Sequence, residues 1–64
     1  MLSKYDIFLN KMYKDVAIEI NDMAQQDGLY VLPMTFDDVN VDVDDNRLLV
    51  YIDDYSRVID FDIG

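Results

Sequence analysis

The chain has 64 residues, no Cys, no His and a net charge of −9 from 14 acidic and 5 basic side chains. A length of this order makes one domain with a marginal core, and neither disulfides nor thiolate or imidazole metal sites are available to reinforce it. Imidazole acid–base catalysis is excluded as well, and so acidic a surface repels nucleic acid and anionic membrane as direct partners.

The hydrophobic content of 52% argues against disorder because the apolar residues are periodic. The charge is uneven. Residues 29–64 carry nine acids against Arg47 and Arg57 (−9 + 2 = −7), whereas residues 1–28 carry five acids against three lysines (−5 + 3 = −2). Of the 14 acids 13 are Asp, so the carboxylates ride on short stems close to the backbone.

In chain order, Met-Leu-Ser-Lys-Tyr-Asp lacks the apolar core of a secretory leader, and no apolar run approaches the ~20 residues that a membrane span needs. A cytoplasmic protein is the expectation. Ser3 followed by Asp6 resembles a capping box, and Gly28 suits the left-handed position just past a helix end. Between them Leu2, Tyr5, Leu9, Met12, Tyr13, Val16, Ile20 and Met23 form a broad stripe at helical spacing, with Phe8 at its edge. On the opposite face Ile7 and Ile18, eleven residues apart, point almost the same way among Lys4, Lys11 and Lys14, which marks them as a self-association surface for a homodimer.

After Gly28, LYVLPM reads as a short edge strand, because Pro33 cannot donate to a ladder. Thr35-Phe36-Asp37-Asp38 reads as a single turn. From Val39 to Gly64 apolar and acidic residues alternate with the period of half-buried strands. Val39, Val41 and Val43 share one face. Ile59, Phe61 and Ile63 share another, which leaves Asp60 and Asp62 opposite them with Val58. The predicted fold is therefore α+β: one long N-terminal helix (about 3–27) on an antiparallel sheet of three to four strands (about 30–33, 39–43, 47–53 and 57–63).

Chemistry is sparse. Ser3, Thr35 and Ser56 have no base to activate them, and two glycines are too few for a phosphate loop, so no enzyme and no cofactor are expected. Asp42-x-Asp44-x-Asn46 with Asp53 at the twelfth position matches most oxygen ligands of a calcium loop, but Arg47 stands where the loop needs glycine. No metal site is assigned. The remaining candidates are the carboxylates themselves. Asp42, Asp44, Asp45, Asp53, Asp54, Asp60 and Asp62, with Tyr51 and Tyr55 as aromatic anchors, would present negative charge at phosphate-like spacing to a basic, nucleic-acid-binding site on a partner protein. The small size and acidic sheet resemble the general type of phage-encoded inhibitors that mimic DNA. An antitoxin or immunity protein masking a basic toxin would use the same physics, and a calcium-binding or structural small subunit is the reading from a different class.

Overall fold

The computed structural model describes residues 2–35, 37–38 and 42–64. In place of one long helix it has a 3₁₀ helix over Ser3–Phe8 and an α-helix, α1, over Tyr13–Gln26. The break has a physical cause. Asn10 takes the left-handed conformation (φ 67°), which Asn tolerates better than most residues. The backbone beyond it then pairs with residues 56–58: Asn10 N–H donates to the Val58 carbonyl (2.7 Å), Val58 N–H to Lys11 (2.8 Å) and Tyr13 N–H to Ser56 (2.8 Å). A continuous helix would turn the Asn10 and Tyr13 amides toward its own carbonyls instead. No side chain caps either helix start, so Ser3 and Asp6 do not form the expected capping box.

The apolar stripe survives the break. In a 3₁₀ helix residues three apart eclipse one another, so Leu2, Tyr5 and Phe8 align. Tyr5 and Phe8 are buried, and Phe8 belongs to the core rather than to its edge. Both stack obliquely on Phe61, with ring centroids 5.2 and 6.5 Å away. From α1, Val16, Ile20 and Ala24 enter the same core at four-residue spacing, flanked by half-buried Tyr13 and Met23. The helix ends as predicted. Gly28 is left-handed (φ 74°), Leu29 N–H reaches the Ala24 carbonyl (2.8 Å) and Gly28 N–H that of Gln25 (3.0 Å), the paired bonds of a Schellman motif.

The sheet has three strands in the order β1-β2-β3: β1 Tyr30–Met34, β2 Arg47–Ile52 and β3 Val58–Ile63. It is mixed, where an antiparallel sheet was predicted. Strand β1 runs parallel to β2, with Leu32 beside Leu49, and β3 runs antiparallel, with Val50 opposite Phe61. A parallel neighbour requires a crossover of about a dozen residues, and Thr35–Asn46 supplies it. The segment predicted as a strand over 39–43 falls in this crossover. Val39, Asn40 and Val41 lie outside the described residues, and Asp42–Asp44 is not a strand. Pro33 sits on an edge strand, as its missing donor requires.

One prediction about faces is corrected. The register slips between Tyr51 and Ile52, where Ile52 pairs with Val58 rather than Ile59. This bulge puts Val58, fully buried, in the core beside Phe61 instead of on the acidic face, while Ile59 is only half-buried. Among the described residues no helix is long and apolar enough to cross a membrane.

Candidate functional site: the acidic edge of the sheet

Leu48, Val50, Val58 and Phe61 face the helices. Alternation therefore sends Arg47, Leu49, Tyr51, Asp60 and Asp62 to the other face, with Tyr30, Leu32 and Met34 beside them in register. Asp60 and Asp62 are exposed there on the outermost strand. Their Cα atoms lie roughly 6.5–7 Å apart along the strand, twice its ~3.3 Å rise. Leu49 and Met34 of this face are buried. Asp42 and Asp44 are tied to it, since Arg47 Nη2 donates to the Asp42 carbonyl (2.7 Å) and the Tyr30 hydroxyl bonds the Asp44 carboxylate.

The edge of β3 has a particular hydrogen-bond pattern. Gly64 N–H donates to the Arg47 carbonyl, which makes Gly64–Arg47, and by alternation Asp62–Leu49 and Asp60–Tyr51, the bonded pairs. The amides of Phe61 and Ile63 consequently point outward, away from β2. Each is taken by the carboxylate before it: Phe61 N–H donates to Asp60 Oδ1 and Ile63 N–H to Asp62 Oδ1, both at 2.8 Å.

The other predicted acids divide between the two ends of the sheet, roughly 17 Å apart along β2. At one end Asp44 is a turn residue. Its Oδ1 accepts the Asn46 amide (2.8 Å), and the Tyr30 hydroxyl and this amide hold its carboxyl below the usual range. At the other end Asp53 organises the β2–β3 loop. Its Oδ1 accepts the amides of Tyr55 and Arg57 (2.9 Å each) and its Oδ2 accepts Arg57 Nε (3.0 Å), so the Arg57 amide first and the Tyr55 amide next hold its carboxyl low. Asp42, Asp45 and Asp54 make no side-chain hydrogen bond or ion pair among the described residues. Tyr55 is 73% exposed, with the Arg57 guanidinium 5.5 Å from its ring centre, while Tyr51 is half-buried on the sheet face. The two tyrosines thus belong to different surroundings.

Asp27 lies at the C-terminal end of α1, where the helix dipole disfavours a carboxylate. Lys4 (2.5 Å) and the Tyr5 hydroxyl (2.7 Å) compensate, pinning the 3₁₀ helix to α1 and holding the Asp27 carboxyl low, Lys4 most strongly. Burial, reinforced by Asp27, pushes the Tyr5 phenol up. A groove of about 320 Å³ lies beside this pair, lined by Leu2, Leu29 and Ile63. Ile7 and Ile18 are 62% and 78% exposed, but the interruption of the helix at Asn10 assigns them to different helices. Their predicted alignment along a single helix does not exist.

Among the described residues no three acidic side chains gather to hold a metal ion. The residues that match a calcium loop in sequence are dispersed: Asp44 is occupied by Tyr30 and Asn46, and Asp53 lies at the far end of β2. Sequence reasoning missed Tyr30, whose only signal was a tyrosine opening a strand, and the outward amides of Phe61 and Ile63. The latter were implied by Asp-Phe-Asp on a terminal strand. Compared with known proteins, the chain matches no family, no curated protein and no solved structure.

Proposed function

We propose that this chain binds and blocks a basic, nucleic-acid-binding site on a partner protein, its sheet-edge carboxylates standing in for DNA phosphates. The observation that supports this most is the stripe along β3. Asp60 and Asp62 are exposed on one side of an edge strand, with Asp42 and Asp45 toward one end and Asp54 toward the other. Both arginines of this half are turned to internal partners: Arg57 pairs with Asp53, and Arg47 donates to the carbonyls of Gly64 and Asp42. Phosphates of one DNA strand advance ~3.4 Å per nucleotide along the axis and lie farther apart through space, a spacing that alternate strand residues approach. Asp44 and Asp53 shape the turns that carry the others, and Tyr55 offers an exposed aromatic anchor at the loop end.

The test is capture on immobilised protein followed by elution with a short DNA duplex at constant ionic strength. Partners held in a nucleic-acid site leave with the duplex, and Asp60→Asn with Asp62→Asn retains less of them. A captured basic protein that the duplex cannot displace favours the immunity-protein reading. Equal capture by the double variant removes β3 from the site.

A further inference from the structure

The two edges of the sheet are not equivalent. On β1, Tyr30 N–H donates to the Asn46 carbonyl, so Tyr30, Leu32 and Met34 bond β2 while Val31, Pro33 and Thr35 turn outward. Pro33 has no N–H, and the Thr35 amide is taken by Asp38 Oδ2 at 2.9 Å. An incoming strand would find one free donor there, at Val31, and the edge is closed. On β3 the first part of the edge is already paired, since Asn10 and Lys11 bond both backbone groups of Val58 and Met12 bridges Arg57. Beyond the bulge the edge is open in geometry and guarded in chemistry. The carbonyls of Phe61 and Ile63 point outward with their amides, and those amides are held only by the neighbouring carboxylates of Asp60 and Asp62.

We infer that the β3 edge at Asp60–Ile63 is a gated strand-addition site for an extended segment of the partner that alternates basic and apolar residues. The inference rests on the proposed function and specifies how the partner docks. In an antiparallel addition Phe61 and Ile63 exchange backbone bonds with the newcomer, which makes Asp60 and Asp62 the non-bonded positions, where opposite side chains stand closest (Cα atoms ~4.5 Å apart). Lys or Arg at those positions draws each carboxylate off its own amide and frees the amide for the incoming carbonyl. Apolar residues between them lie over Phe61 and Ile63. The same parity disfavours a second copy of this chain: antiparallel pairing of two β3 edges through Phe61 sets Asp against Asp, whether Phe61 meets Phe61 or Ile63, and like charges directly opposite destabilise a sheet.

Three synthetic peptides of one composition test this on the intact protein: alternating Lys-Val, the same residues in two blocks, and the alternating peptide N-methylated at the backbone nitrogens that would face β3. The alternating peptide is expected to bind at least tenfold more tightly than the other two and to slow amide hydrogen exchange at Phe61 and Ile63. Asp60→Asn with Asp62→Asn weakens it. Equal binding of the three peptides, or unchanged exchange at both amides, overturns strand addition. If the double variant still weakens all three equally, the carboxylate function stands and only this mode of docking falls.

Discussion

Gly28→Ala isolates one backbone device. Gly28 has φ +74°, and a Cβ built on it meets nothing within 4 Å, so the change brings no steric contact and acts through the backbone alone. A left-handed residue with a Cβ costs roughly 1–2 kcal/mol. Reduced freedom of the unfolded chain offsets about 0.4–1 kcal/mol of that. The expected loss therefore centres on about 0.8 kcal/mol, between about 0 and 1.6, and the central value lowers the melting midpoint by roughly 3–6 °C for a domain this small. Gly28→Asn should lose less, because Asn tolerates the left-handed region. Thermal melts followed by far-UV circular dichroism give the order Gly, Asn, Ala. A midpoint that Ala raises, or an Ala variant more stable than the Asn variant, would refute the helix end described here, since the 2.8 Å Leu29–Ala24 bond requires that turn.

Other outcomes follow from the same structure. Asp53→Ala, which removes the acceptor of the Tyr55 and Arg57 amides, should lower the melting midpoint more than Asp53→Asn, which keeps an acceptor oxygen. The folded state holds the carboxyls of Asp27, Asp44 and Asp53 below their ordinary value of 3.8, so their stabilisation is complete above it and is lost as pH falls further. Denaturation curves should show this acid limb, and Asp27→Asn should flatten it. Tyr5 is shifted above its ordinary 10.0, so its contribution holds below that pH and fades above it; Tyr5→Phe should reduce the alkaline loss of stability.

Local signals were legible where chemistry acts over a few residues. Gly28, the Asp53–Ser56 turn, the edge position of Pro33 and the outward Asp60 and Asp62 all follow from neighbouring residue types. What depended on distant backbone was not legible. The helix breaks at Asn10 because residues 56–58 compete for its hydrogen bonds, and only the left-handed tolerance of Asn hinted at it. The parallel pairing of β1 was hidden because Asp42–Asp44 keeps the alternation of a strand while lying in a crossover. The bulge inverted Val58 for the same reason: periodicity counts residues, and one extra residue in a strand flips every side chain beyond it. Within the candidate site, sequence identified the acids but not their division into turn builders (Asp44, Asp53), edge guards (Asp60, Asp62) and unengaged charges (Asp42, Asp45, Asp54).

The claim that these carboxylates occupy a nucleic-acid site is tested most directly by competition on the captured, purified partner. A labelled short duplex is bound to that partner, and this chain is titrated in while fluorescence anisotropy reports release. Mutually exclusive binding predicts full displacement by the parent chain. It also predicts a requirement for several-fold more of the Asp60→Asn, Asp62→Asn variant, with a shallower salt dependence because fewer ion contacts remain. A ternary complex in which duplex and chain bind together would contradict the account.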